Sequence, residues 1–491
     1  MKQNKGKSLK INALLNTIQT IISMLFPLIT FPYASRVLGV DNIGKYNFGN
    51  SIVSYFVLLA GLGISTYGVR EGAKYRDNKK KFEEFVQNIF SINLYSTLLA
   101  YFLLILCLFY IPQLVEYRIL ILILSSQILF ITIGRNWIYT VYEDYFFITI
   151  RTIIFYLISC ILLFTVVRDE SDLYMYCVVN VVGVIGINIL NIIYSRKYSR
   201  FIFKIKPDIR HLKSILLIFS TAVSVVIYTS SDVTLLGLMC SDKNVGLYSA
   251  SVKIYNIVKQ MLAAVLTVTI PRIAYYIGKS EVVKFRKLFF NISNVLVIIV
   301  CPAAIGLVCL SEDVIYILAG ENYLSASVSL KILSIAIIFN LFAYMYGYCI
   351  LIPYNRESKF VKATIISAVC NICLNIIFIP IFQQNAAALT TLIAEIVAAT
   401  MCYHYSRDII SKSLDKKNIL VTLIGCIYIC RVCLGIYKFV LVERFIRLII
   451  SVLISAIGYF LIQIVLRNMV FITYSDKIFM KVKRLIRINM E

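Results

Sequence analysis

The sequence predicts an all-α protein that crosses a membrane about 14 times. Three observations carry that class. Of the 491 residues, 60% are hydrophobic. Only 15% are charged, against roughly 25% in soluble domains. The apolar residues form runs of about 20, the length a membrane helix needs. Strands of a membrane β-barrel alternate in polarity and show no such runs. A soluble enzyme, a disordered scaffold and a secreted disulfide protein are excluded on the same grounds.

Taken in order, the spans fall at 11–33, 43–67, 86–111, 118–141, 146–167, 173–195, 213–238, 246–275, 288–310, 326–352, 358–381, 385–406, 418–438 and 446–466. Turn-forming residues separate several of them: Gly39 to Asn42, Ile111-Pro112, Arg168 to Asp172, Ser241 to Asn244 and Gln383 to Asn385. The first run lacks a small-residue cleavage site and reads as a retained span. Pro27 and Pro32 within it are expected to kink or unwind the helix.

The formal net charge is +24. In a soluble chain that would point to nucleic acid. Here the cations lie between apolar runs, so they report topology. Lys2 to Lys10, Arg70 to Lys81, Arg196 to Lys213, Lys279 to Lys287, Arg356 to Lys362, Arg407 to Lys417 and Arg467 to Arg487 hold most of them, in alternate connections. The positive-inside rule then places both termini in the cytoplasm, which requires an even number of spans. Residues Lys477 to Ile488 carry an apolar face (Ile478, Phe479, Val482, Leu485, Ile486) opposite basic residues, as a surface helix on anionic lipid would. The 13 cysteines include two CxxC pairs, Cys370/Cys373 and Cys430/Cys433. With only His211 and His404 to help, neither pair reads as a zinc site; one-turn spacing of small apolar residues is the simpler account. No metal or cofactor is expected.

An internal repeat organises the chain. Leu38-Gly39 followed by Ile43-Gly44-Lys45-Tyr46-Asn47 matches Leu236-Gly237 followed by Val245-Gly246-Leu247-Tyr248-Ser249, and Phe82 and Asn88 match Phe285 and Asn291. The offset pairs span 2 with span 8 and span 3 with span 9. The expected organisation is an N-terminal lobe at 1–200 (spans 1–6), a C-terminal lobe at 201–410 (spans 7–12), and an appendage at 411–491 with spans 13 and 14 and a basic tail. Paired six-helix lobes are a transporter architecture.

Several spans are polar along one face, at about 100° per residue. Span 1 carries Asn12, Asn16, Gln19, Ser23 and Thr30; span 2 Asn47, Ser51, Ser54 and Ser65; span 7 Ser220, Ser224 and Ser231; span 8 Ser249, Lys253, Asn256, Gln260 and Thr267. A lipid-facing helix has no use for such stripes. They can bond helix to helix or line a wet cavity, and four of them at the starts of both lobes favour the cavity. Away from span ends lie Arg135, Asp232, Lys253, Lys259, Lys331, Glu395 and Arg431. A charge at mid-membrane costs about 2.5–3.5 kcal/mol on insertion scales, so it faces protein or water. Lys253 stands on a polar stripe, Lys259 is about 120° around the helix from it, and Arg36 and Arg70 end spans 1 and 2. These four are the candidate anion site. Asn47, Ser51, Ser249, Asn256 and Gln260 are the candidate polar lining. Asp232 and Glu395 are the candidates for coupling to a proton or sodium.

The run Phe31-Pro32-Tyr33-Ala34-Ser35-Arg36-Val37-Leu38-Gly39, with Gly44-Lys45-Tyr46-Asn47-Phe48 and Tyr67-Gly68-Val69-Arg70-Glu71, resembles the opening of bacterial polysaccharide flippases of the Wzx type. In the second half, Asp232 to Gly237, Val245 to Ser249, Lys253-Ile254, Pro271-Arg272, Asn355-Arg356, Asn371, Asn375, Ala386 to Ala388 and Glu395 are similar to that family too. The chain departs from it at Arg135 to Glu143, where an aromatic-Gln-Gly-hydrophobic-Glu run is replaced. The resemblance implies two six-helix lobes in a V, in the multidrug/oligosaccharidyl-lipid/polysaccharide exporter superfamily. It implies a substrate too: an undecaprenyl-pyrophosphate-linked oligosaccharide, an O-antigen or capsule repeat, moved from the inner to the outer leaflet of the bacterial cytoplasmic membrane. Membrane lipids, a polysaccharide polymerase and chain-length machinery are the implied partners.

Other classes stay open at this point. A drug or organic-cation exporter of the same fold would want carboxylates in its cavity, where this chain offers mostly cations. A flippase of another lipid-linked sugar, such as a peptidoglycan precursor, would look alike. A membrane-embedded enzyme is disfavoured: the longest outer loop, Ser311 to Ser325, has Glu312, Asp313 and Glu321 but neither His nor Lys. No P-loop is present to drive transport with ATP.

Overall fold

The computed structural model describes residues 9–199, 207–410, 414–440 and 442–473. Among them the chain is helical throughout, in the order α1 (Leu9–Gly61), α2 (Ile64–Gly72), α3 (Lys79–Tyr110), α4 (Arg118–Gly134), α5 (Trp137–Val141), α6 (Tyr145–Val166), α7 (Leu173–Ser195), α8 (Leu212–Met239), α9 (Asp242–Thr267), α10 (Ile270–Gly278), α11 (Val282–Ala319), α12 (Ala326–Tyr346), α13 (Glu357–Ser406), α14 (Lys416–Phe439) and α15 (Arg444–Val465). Eleven stretches of these residues are long and apolar enough to cross a membrane. Two of them, α1 and α13, are each broken once, and α8 adds a shorter apolar helix at Val226–Met239. The result is the fourteen crossing segments expected from hydropathy, in a multi-pass membrane protein.

The breaks have local causes. In α1 the helical angles persist through Pro27 and Pro32 and fail at Gly39, with φ 74°. A side chain is disfavoured at that φ, and a glycine is not. The expectation that the two prolines unwind span 1 is therefore corrected: the discontinuity sits seven residues beyond Pro32. In α13 the break is at Gln383, three residues after Pro380.

Spans 2 and 8 are also shorter than hydropathy implied. The helix at 40–61 ends at Leu62-Gly63, both in left-handed conformation, and α2 restarts at Ile64. Likewise α9 ends at Thr267, and α10 restarts with Pro271 in its first turn, where the missing N–H breaks no helical bond. Each matching half of the internal repeat thus reads long helix, break, short helix. Chain hydropathy did not mark these breaks, because a window of about 19 residues averages across a one- or two-residue interruption.

Contacts divide the chain into two compact units, Met1–Gly246 and Leu247–Glu491. In the first, α1 packs against α3, α4, α6 and α8, and α4 against α7. An apolar core of Phe82, Phe85, Ile89, Trp137 and Ile138 joins α3 to α5. In the second unit, α12 packs on α13, α11 on α12 and α14, and α14 on α15. The proposed surface helix at 477–488 and the side chain of Ser224 lie outside the described residues.

Candidate functional site

Helix α9 is two-faced within the second unit. One side is fastened to the core: Ser251 Oγ donates to the Ala326 carbonyl at 2.7 Å, the Tyr248 hydroxyl meets Thr391 Oγ1 at 3.3 Å, and Leu247, Ala250 and Ile254 are buried. The polar stripe lies around the helix from these contacts. Ser249, Lys253 and Asn256 are half-buried and Gln260 is exposed. Ser249 Oγ is buried without a hydrogen-bond partner among the described residues. The stripe predicted from the sequence is thus neither turned wholly outward nor sealed in the core.

Lys259 leaves the stripe by about a quarter turn and lies over the Tyr255 ring, 4.6 Å from its centroid. The Tyr255 hydroxyl donates to Glu395 Oε1 at 3.4 Å, and Asn340 Nδ2 donates to the same oxygen at 2.7 Å. Glu395 is only 3% exposed and lies in the electrostatic field of Lys259. The structure therefore joins two residues that sequence reasoning had put in different roles, a cation of the anion site and a coupling carboxylate, through one tyrosine.

On the opposite side of α9 from Lys253's stripe, Val258 lines a cavity of about 970 Å³. Its walls are almost wholly apolar, with Ile298, Pro302 and Leu310 of α11, Cys433 of α14, Tyr459 of α15, and Phe471. No sequence signal marked this cavity, because its lining is ordinary span composition.

In the first unit, α1 and α8 border a small, partly open cavity of about 140 Å³ with polar lining. The predicted lining residues Asn47 and Ser51 are there, with Asn50, Ser54, Thr229 and Ser230. Ser51 and Ser54 turn their protons to their own helix, at the Phe48 and Ser51 carbonyls. Thr234 Oγ1 donates to Ser51 Oγ at 3.0 Å and meets the Tyr55 hydroxyl at 3.1 Å. Asp232 is buried in α8 and acts electrostatically on Tyr55.

Arg36 and Arg70 do not meet. Arg36 is exposed just before the Gly39 break, its Nη1 donating to the Pro32 carbonyl at 2.8 Å. Arg70 is exposed on α2, paired with Glu71 at 3.3 Å. Between them runs the helix 40–61, about 33 Å long at about 1.5 Å per residue. A single bound anion cannot touch both. Of the other charges singled out, Lys331 pairs with Glu312 at 2.9 Å, Arg431 is exposed on α14, and Arg135 closes α4 in left-handed conformation with Nη2 on Ser195 Oγ at 3.1 Å. Sequence reasoning passed over Arg151. It is buried in α6, bonded to Asn136 Oδ1 and stacked on Tyr139 and Phe147.

Two broken-helix units, with polar side chains gathered inside apolar helices, define a multi-pass membrane protein, and its fold is shared with solved membrane proteins. The lipid II flippase MurJ in its inward closed conformation superposes with a TM-score of 0.77 at 18% identity, covering 93% of this chain and 100% of that one. An inward-facing MATE multidrug resistance transporter of the MOP superfamily follows at 0.60 and 16%, covering 81% and 97%. Residues 9–276, more than half of the chain, match the model of the polysaccharide biosynthesis protein family, and the chain belongs to that family. Among curated proteins it is 22% identical over 419 residues to the "Putative O-antigen transporter" of Escherichia coli (strain K12), covering 83% of this chain and 99% of the relative. It is 25% identical over 232 residues, about half of each chain, to the "Probable low-salt glycan biosynthesis flippase Agl15" of Haloferax volcanii.

Proposed function

We propose that this protein moves a polyprenyl-pyrophosphate-linked oligosaccharide, the repeat unit of an O-antigen or capsular polysaccharide, from the inner to the outer leaflet of a bacterial cytoplasmic membrane, with both termini in the cytoplasm. The observation that carries the reading is the two-sidedness of α9. Lys253, Asn256 and Gln260 form a cationic and amide face, and Val258 opposes them in the apolar cavity. A lipid-linked sugar has the matching duality: an anionic, hydroxyl-rich head and a long hydrocarbon tail. Each polar group of such a head costs several kcal/mol in hydrocarbon unless it is bonded. Amides and hydroxyls replace its water, and ammonium groups hold the pyrophosphate.

Lys253 is the principal anion-binding residue in this reading, Lys259 its neighbour, and Arg36 and Arg70 act at different stages of passage. Moving two negative charges outward is favoured by an inside-negative potential by about 4–5 kcal/mol per 100 mV. Asp232 and Glu395 are then available for coupling to a proton or sodium without being required. The family relationship and the name of the Escherichia coli relative support a glycan cargo, and a polymerase and chain-length machinery would take up the product.

The test is a glycan-export assay in a strain lacking its own flippase, complemented at single copy. Lys253→Ala should abolish surface glycan at normal protein level, and Lys253→Arg should restore it. Full export by Lys253→Ala overturns the anion-site reading. Efflux of organic cations without glycan export would assign the chain to drug transport instead.

A further inference from the structure

We infer that the small cavity between α1 and α8 is a subsite for an uncharged sugar ring, and that Asn50 sets its specificity. The inference rests on the glycan-lipid reading above and adds to it which kind of sugar the protein accepts.

Among the described residues the cavity has no ionisable lining. Asn47, Asn50, Ser51, Ser54, Thr229 and Ser230 supply its polar surface. Their hydrogen bonds leave a definite pattern. Asn47 spends an amide proton on the Ile43 carbonyl at 2.8 Å, and its Oδ1 still accepts. Ser54 Oγ donates to the Ser51 carbonyl at 2.6 Å and lies 3.2 Å from Ser230 Oγ. Ser51 donates inward to the Phe48 carbonyl at 2.7 Å. The side chain of Asn50, half-buried on the cavity wall, makes no hydrogen bond with any described residue. It presents two N–H donors and one carbonyl acceptor together. The site therefore offers hydroxyl and amide acceptors, the free amide of Asn50 and the second N–H of Asn47. Sugar hydroxyls, which donate and accept at once, complement that set.

A carboxylate or phosphate is not complemented. Among the described residues no cation lines the cavity, and the wall leads by Ser51, Thr234 and Tyr55 to a buried carboxyl group. Thr234 donates to Ser51 and meets the Tyr55 hydroxyl, and Asp232 acts on Tyr55. An acidic sugar placed here would exchange its water for a few neutral amide N–H groups among acceptors, with a like charge nearby and no cation to offset it. The volume, about 140 Å³, suits one ring or part of one. It is well below the roughly 300–1,000 Å³ typical of pockets that bury a drug-sized ligand, so the rest of the glycan must lie elsewhere.

The test uses the purified full-length protein in nanodiscs and three synthetic lipids: a polyprenyl diphosphate, the same lipid carrying one N-acetylhexosamine, and the same lipid carrying one hexuronic acid. Dissociation constants are measured for the native protein, Asn50→Leu and Asn50→Gln, with thermal unfolding as the folding control. The neutral sugar should tighten binding about tenfold over the bare lipid, equivalent to about 1.4 kcal/mol, and the uronic acid should not tighten it. Asn50→Leu should erase the tenfold gain and leave the bare lipid's affinity unchanged; Asn50→Gln should keep part of the gain. Equal affinity for the neutral and acidic sugars, or equal loss of bare and glycosylated lipid in Asn50→Leu, overturns the inference while leaving the glycan-lipid reading intact. If none of the three lipids binds, the glycan-lipid reading falls and this subsite with it.

Discussion

Gly44 and Gly246, equivalent positions of the internal repeat, close on each other. A Cβ added to Gly44 would stand 1.9 Å from the Asp242 carbonyl oxygen and 3.1 Å from the Gly246 nitrogen; one added to Gly246 would stand 2.2 Å from the Val40 carbonyl oxygen. Both obstacles are backbone, which cannot swing aside. Around the contact, the Tyr117 hydroxyl donates to Asp242 Oδ1 at 2.7 Å and Lys45 pairs with Glu116 at 2.9 Å. Small residues let membrane helices approach this closely, where packing rather than the hydrophobic effect holds them. Gly44→Ala and Gly246→Ala should each destabilise the protein by about 1–3 kcal/mol, the range for overpacking, seen as a lowered unfolding temperature in detergent. Gly44→Leu should prevent accumulation altogether. An unchanged unfolding temperature for Gly44→Ala would refute the close contact.

The repeat that placed these glycines was readable because it repeats a spacing, and the spans were readable because lipid demands a length. Lys253 stood out because a cation on a polar face of an apolar helix must meet water, an anion or a polar neighbour. What escaped the sequence depends on distance in space. Asn50 sits one turn from Asn47 and from Ser54, yet nothing in the chain says that its amide lacks, among the described residues, the partner theirs have found. Arg36 and Arg70 look like a pair on paper, and the length of one helix separates them. The tie from Lys259 through Tyr255 to Glu395 joins α9 to α13 across more than a hundred residues, which periodicity cannot detect.

Glu395 accepts from Asn340 and from Tyr255 in a buried site. Glu395→Ala leaves both donors unbonded, at a cost of about 1–3 kcal/mol, and should lower the unfolding temperature. Glu395→Gln keeps an oxygen for Asn340 and should be much milder. If Glu395→Gln abolishes glycan export while folding normally, the charge is needed for transport itself. Equal stability of the alanine variant and the native protein would contradict the network.

Cys309 and Cys430 bring α11 and α14 together, with Sγ atoms 3.6 Å apart. The CxxC spacing of Cys430 and Cys433 had suggested only a shared helix face, and the spatial neighbour of Cys430 lies 121 positions away in the chain. Mild oxidation with a copper–phenanthroline oxidant should join Cys309 to Cys430, detectable by mass spectrometry of the linked peptides. Cys309→Ser should remove the product. A link found only between other cysteines would show that α11 and α14 do not meet in this register.

Asp313 and Arg447 hold α15 to α11. The guanidinium is bidentate, with Nε donating to Oδ2 at 3.0 Å and Nη2 to Oδ1, and the two side chains are only 6% and 15% exposed. Arg447 also stacks on Tyr437, 4.7 Å from the ring centroid, which ties the same corner to α14. A buried pair of this kind adds little net stability when compared with an apolar replacement, but breaking it strands one charge. Asp313→Ala and Arg447→Ala should each therefore destabilise the docking of α15 by about 3–5 kcal/mol, whereas the double replacement Asp313→Leu with Arg447→Met should recover most of that loss. Protease cleavage ahead of α15, in the connection around Glu443, reports the docking directly. Cutting should rise in both single variants and fall back in the double. If the double variant is cut as readily as the singles, the charges themselves hold the helix in place, and the stranded-charge explanation is wrong.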